Sequence, residues 1–226
     1  MCSSDLSRSW PQDAGSPFGV ESQRVRFYYI EMLGTAVFAI TGVLAVTRRG
    51  LDVFGAFVLG IVTALGGGTI RDLVIGAPPF WIGDFNYVWV AGAGALAAFW
   101  IGSVLRNAYR GLLYLDAMGA ALFAITAANK VLSLHLSAPV AVTMGVLTGI
   151  GGGLLRDVLA GRPTLLMSRE IYATPILLGC VAFVLLQGVE SWLPYAAAIG
   201  FTIIFGVRAT AIYRNLEMPH WLTHGD

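Results

Sequence analysis

Two stretches of an otherwise apolar chain concentrate the residues capable of chemistry: "GGGTIRD", residues 66–72, and "GGGLLRD", residues 151–157. Each places an arginine and an aspartate, Arg71 with Asp72 and Arg156 with Asp157, just beyond three glycines. No nucleophile with a base accompanies them, and His135, His220 and His224 stand at no metal-ligand spacing to cysteine or carboxylate. What remains is the chemistry of fixed charges and backbone carbonyls, which bind or pass ions and break no bonds. The sequence thus predicts no enzyme, no cofactor and no metal beyond permeating monovalent cations. If the glycines break their helices, the freed carbonyls become cation ligands, and Gly66, Gly67, Gly68, Gly151, Gly152 and Gly153 line an ion pathway. The alternative is that the glycines let helices pack closely.

The elements that must position these residues are membrane helices. Hydrophobic residues make up 57% of the chain and charged residues only 12%, and the mean hydropathy is +0.74, outside the balance of a soluble domain. Seven apolar segments, over 26–47, 53–76, 87–104, 112–132, 138–161, 171–188 and 195–212, approach or reach the roughly 20 residues needed to cross a bilayer. Residues 1–25 read as a disordered tail and 213–226 as a C-terminal tail. A net charge of +1 gives no reason to expect nucleic acid, and Cys2 and Cys180 are placed too differently to form a structural disulfide.

Arginines collect on one side: Arg48 and Arg49, Arg106 and Arg110, Arg162 and Arg169, with Arg208 and Arg214 assigned to the tail. The other connections offer Asp84, His135 beyond Lys130, and Glu190. Retention of positive loops in the cytoplasm then predicts an outside N-terminus and a cytoplasmic C-terminus, with Arg24 and Arg26 outvoted.

The chain also repeats itself. The shift that lays Gly66 on Gly151 also lays "GTAVFAIT" (34–41) on "GAALFAIT" (119–126), Gly60 on Gly145, Thr63 on Thr148, Gly76 on Gly161 and Pro78 on Pro163 without a gap. Each unit spans three helices, an odd number, so the second enters the membrane from the opposite face. The expected fold is an all-α membrane protein of two inverted three-helix repeats, 27–110 and 111–190, plus a seventh helix over 195–212.

These residues resemble the trimeric intracellular cation channel family in its prokaryotic branch. The resemblance covers residues 27 to about 212 and rests on the doubled "GGG-x-x-RD", the paired "FAIT" and the "Gly-x-Pro" after each motif. It implies a homotrimer in a prokaryotic inner membrane, in contact with membrane lipids. Each protomer would hold its own pore for K+ and Na+, with potassium favoured, and helices two and five would break at the glycines to line it. From another class comes a secondary transporter of a small neutral solute such as an amino acid. A structural assembly protein is a third reading.

The remaining polar residues have two readings each. Thr41 and Thr126 either bond their own helix or face the pore. Lys130 falls on Ala45 in the other repeat, so it either reaches the headgroups or sets a field in the pore. Trp81, Trp89, Trp192 and Trp221 read as interfacial anchors. An arginine or aspartate at the centre of a span costs roughly 2.5–3.5 kcal/mol on insertion scales, so these charges need partners. Depth selects them: Glu31 lies about 9 Å outward on its helix and Arg71 about 10 Å, while Asp116 lies level with Arg156 at the opposite end. The expected ion pairs are Arg71 with Glu31 and Arg156 with Asp116, leaving Asp72 and Asp157 free to face permeating cations. Small residues on the first and fourth helices (Gly34, Ala36, Gly119, Ala120, Ala121, Ala124) suggest that these two build the trimer axis.

Overall fold

The computed structural model describes residues 17–47, 52–102, 108–168 and 171–216. Cys2, Arg48, Arg49, Arg106, Arg169, His220, Trp221 and His224 lie outside them. The described residues form eight α-helices: α1 (Pro17–Val46), α2 (Val53–Val74), the single turn α3 (Phe80–Gly83), α4 (Asn86–Gly102), α5 (Ala108–Ser133), α6 (Ala138–Leu159), α7 (Ala173–Gln187) and α8 (Leu193–Arg214). Short 3-10 turns occupy Leu165–Met167 and Glu190–Trp192.

Among the described residues, five segments are long and apolar enough to cross a membrane: Gln23–Val46, Val53–Val74, Tyr109–Ser133, Ala138–Leu159 and Glu190–Arg214. Of the other two expected spans, α7 is a shorter helix of 15 residues, about 22 Å against a hydrocarbon core of roughly 30 Å, and α4 is described over Asn86–Gly102. Residues 17–25, expected in the tail, belong to α1.

The register of the repeat recurs in the element boundaries, since α2 and α6 begin and end at equivalent residues. Their C-termini show why "Gly-x-Pro" follows each motif. Gly76 and Gly161 take φ of +70° and +56°, a left-handed conformation that costs residues with a Cβ roughly 1–2 kcal/mol. The chain then folds back, so that Ala77 N donates to Asp72 O and Arg162 N to Asp157 O, each at 2.8 Å. Gly76 N and Gly161 N close the second bond of this cap, onto Leu73 O and Val158 O. Pro78 and Pro163 end the helical path, and the connection is aimed back at the aspartate side chain.

α1 and α5 form the centre of the bundle. α1 packs on α2, α4 and α5, while α5 packs on α1, α6, α7 and α8. Gly34, Gly119, Ala120, Ala121 and Ala124 are accordingly buried inside the protomer, where they serve packing within the chain, while Ala36 is half-buried. A Cβ on Gly119 would lie 2.8 Å from the Phe38 ring, and one on Gly34 would lie 3.1 Å from the Phe123 ring. These reciprocal glycines seat two stacked rings, 5.4 Å between centroids and 9° apart in plane. Ala120, Ala121 and Ala124 are fully buried. Small residues signal close approach of some helix, and here the partner belongs to the same chain.

Candidate functional site

The triple glycines do not interrupt their helices. α2 runs unbroken through Gly66–Gly68 and α6 through Gly151–Gly153, so the expected helix breaks and freed carbonyls are replaced by close packing. The middle glycines make the crossing of the two helices. A Cβ on Gly67 would stand 2.8 Å from Thr148 O and 3.0 Å from Gly152 N, and one on Gly152 would stand 2.6 Å from Thr63 O. Backbone meets backbone there, and only glycine leaves the space. The outer members do other work. Gly66 faces the tip of Leu155, and Gly151 faces Gly67. Gly68 admits the Phe80 ring, while Gly153 admits Asp116 and Tyr172, whose Oδ1 and hydroxyl would each lie 2.8 Å from an added Cβ.

Beyond the crossing lie two clusters of charge at repeat-equivalent positions. In the first, Arg71 Nη1 lies 3.2 Å from Glu31 Oε1, and Arg71 Nε donates to Asp72 Oδ1 at 2.7 Å. Asp72 Oδ2 accepts from the backbone N of Phe80, the first residue of α3, at 2.8 Å. In the second, Arg156 Nη1 lies 2.8 Å from Asp116 Oδ1, and Arg156 Nε lies 2.9 Å from Asp157 Oδ1. Asp157 Oδ2 accepts from Leu165 N at 3.1 Å. The glycine cap and the aspartate thus act together: the cap returns the chain, and the carboxylate receives the amide that arrives.

Asp72 and Asp157 are fully or nearly fully buried and each accepts at both oxygens. They are not the free carboxylates that the sequence led us to expect. Adjacent helical residues point about 100° apart, a gap that a long side chain can close. A guanidinium on a long stem folds back far enough to bond its neighbour through Nε while Nη1 reaches another helix.

Each cluster receives one further cation, and here the two halves differ. Lys130 Nζ, on α5, lies 2.8 Å from Asp72 Oδ1. It bridges the repeats, a partner the sequence did not suggest. The second cluster has Ala45 in that place and instead recruits Arg208 from α8, whose Nη2 is 3.4 Å from Asp116 Oδ2. The Arg208 guanidinium also stands 4.0 Å from the centroid of the Tyr172 ring. Both clusters then hold two carboxylates and two cations and are formally neutral, as burial in low dielectric demands. Arg71 Nη2, Arg156 Nη2 and Arg208 Nη1 are buried with no hydrogen-bond partner among the described residues.

Thr41 and Thr126 are buried and donate to carbonyls of their own helix, Phe38 O at 2.8 Å and Phe123 O at 3.2 Å. Trp81 donates to Thr69 Oγ1 at 3.0 Å, while Trp89 and Trp192 are exposed. Three participants escaped the sequence reading. Tyr87 donates to Glu31 Oε2 at 3.0 Å, and Tyr172 lies beside Asp116. The two tyrosines are equivalent in the repeat, so its register could have found them. Arg208, assigned to the tail, lies within the expected seventh span, is 1% exposed and should have been read as an intramembrane charge.

A family model described as "Glycine transporter" matches this chain twice, over residues 28–103 and 113–188. A membrane protein of Vibrio cholerae (UPF0126) is 41% identical over 196 residues, covering 85% of this chain and 81% of its own. The Escherichia coli K12 inner membrane protein YadS is 37% identical over 195 residues, 85% of this chain and 94% of its own. Among solved structures, the TRIC trimeric intracellular cation channel orthologue from Rhodobacter sphaeroides superposes with a TM-score of 0.81 at 39% identity. It covers 84% of this chain and 98% of that one. This chain belongs to the prokaryotic TRIC family. It is a multi-pass membrane protein, and its structural relatives are channels. The two family-model matches are offset by the same interval as the two glycine motifs, at their starts and at their ends, so the doubled charge cluster of this TRIC member belongs to a doubled unit.

Proposed function

We propose that the chain is a homotrimeric channel for monovalent cations, favouring potassium, with a pore inside each protomer. The observation that carries this reading is the pair of neutral charge clusters at equivalent positions beyond the glycine crossing of α2 and α6, in a chain that superposes on a cation channel orthologue. In this reading α4 and α7 also span the membrane, making seven spans in two inverted repeats with α8 unpaired. The N-terminus lies outside and the C-terminus in the cytoplasm of an inner membrane. Conduction follows the contact between α2 and α6. Because Gly67 and Gly152 touch backbone to backbone, the two helices must separate for an ion to pass. The partly exposed Lys130 and the spare guanidinium donors then border the opened route. Purified protein in planar bilayers should give unitary currents whose reversal potential under a KCl–NaCl gradient favours potassium. Silent bilayers from folded protein would reject the reading.

The description of the family model supports a second reading, a carrier for glycine, with both halves rocking about the same crossing. Saturable glycine uptake into proteoliposomes without unitary steps would establish it in place of the channel.

A further inference from the structure

The cluster chemistry leaves one cavity unexplained. A groove of about 320 Å³ lies among α1, α5, the end of α7 and the start of α8. At one end stand Gln23, Arg26 and Gln187, and Arg26 is the one charged residue of the lining. Gln23 opens the first apolar span, Gln187 closes α7, and Leu193 on the same rim opens α8, so this end sits where three helices leave the hydrocarbon. From there the groove descends between apolar walls to Leu122 and Ile125, near the middle of the Tyr109–Ser133 span. Its α8 wall, from Leu193 to Thr202, is about 14 Å long at 1.5 Å per residue. That is close to half of a hydrocarbon core of roughly 30 Å, the depth of one leaflet.

Arg26 is exposed and pairs with no carboxylate among the described residues. The four cations of the charge clusters, Arg71, Lys130, Arg156 and Arg208, all have one. A lone cation at headgroup level, above an apolar slot one leaflet deep, matches a molecule with the same order of parts: an anionic headgroup followed by an acyl chain. The two glutamines add neutral donors for the oxygens of such a head.

We propose that this groove is a binding site for an anionic glycerophospholipid, its phosphate at Arg26 and one acyl chain lying along Ile30, Leu122, Ile125 and Phe201. A second copy of the chain is the competing occupant, and the test below separates the two. The lipid brings its charge in the required position. The assignment holds for a channel and a carrier alike, since the groove lies apart from both charge clusters.

Native mass spectrometry of the detergent-purified full chain tests it, titrating palmitoyl-oleoyl phosphatidylglycerol against the phosphatidylcholine with identical chains. Wild-type protein should bind the glycerol lipid about fivefold more tightly, the effect of one basic residue near an anionic surface. Arg26→Gln should bind the two lipids equally, because only the headgroup contact is removed. Ala198→Trp, which fills the exposed wall of the groove, should lose both. Equal binding of the two lipids by wild-type protein would overturn the proposal. So would an undiminished preference in Arg26→Gln, or a change of protomer stoichiometry in Ala198→Trp with lipid binding intact.

Discussion

Replacing Asp116 by asparagine should be the most damaging single isosteric change in the protein, and the structure says by how much. Asp116 is fully buried, with Oδ1 2.8 Å from Arg156 Nη1 and Oδ2 3.4 Å from Arg208 Nη2. Asparagine keeps the shape and one acceptor but removes the charge, so the cluster changes from neutral to a net charge of +1 in a region that water does not reach. Removing one partner of a buried ion pair costs roughly 3–5 kcal/mol, mostly through the charge left behind. At about 2–4 °C per kcal/mol for a chain of this size, the melting temperature should fall by roughly 6–20 °C. Glu31→Gln is the internal reference. Glu31 holds a single arginine, and its side chain is 16% exposed, so solvent eases the loss and the fall should be smaller. Thermal unfolding of the detergent-purified variants, followed by tryptophan fluorescence, measures both. The charge argument makes a further demand. Adding Arg208→Met to Asp116→Asn restores neutrality and should recover about 0.5–3 kcal/mol relative to additivity. A melting temperature for Asp116→Asn no lower than that of Glu31→Gln, or strictly additive costs in the double variant, would refute the reasoning.

The glycine motifs predict a contrast between the middle glycines and a flanking one. Gly67→Ala and Gly152→Ala press a methyl onto the opposite backbone and should each cost about 1–3 kcal/mol, whereas Gly66→Ala meets only the movable end of Leu155 and should melt close to wild type; equal effects at all three would argue against the crossing. Lys130→Met removes a 29% exposed cation from Asp72, which keeps Arg71 and the Phe80 amide. The loss should be about 1 kcal/mol, and it should disappear when Asp72→Asn is already present, which a double-mutant cycle of melting temperatures would show.

Much was legible in the chain before its fold was known, for reasons that are local. Apolar length marks a membrane helix because an unsatisfied backbone group in hydrocarbon is prohibitive. The constant register of the repeat lets one half predict the other, down to the equivalent limits of α2 and α6. Depth along a helix follows from residue count, so Glu31 and Asp116 could be set level with the right arginines by arithmetic alone. What the chain could not disclose was which of two uses a residue serves when both leave the same trace. Three glycines look alike whether a helix breaks or another helix lies against it, and only the backbone opposite Gly67 and Gly152 decided for packing. The small residues of α1 and α5 advertise a close neighbour without saying whether it belongs to the same chain. Asp72 and Asp157 were expected to be free because the arginines had been paired elsewhere, but a guanidinium has donors for two carboxylates. The second cation of each cluster shows the limit most clearly. Nothing local ties Lys130 to Asp72, or Arg208 to Asp116, since each pair is drawn from helices far apart in the chain. Neutrality requires that each buried cluster find another positive charge, and that requirement is met by whichever cation the packing of helices carries to that depth.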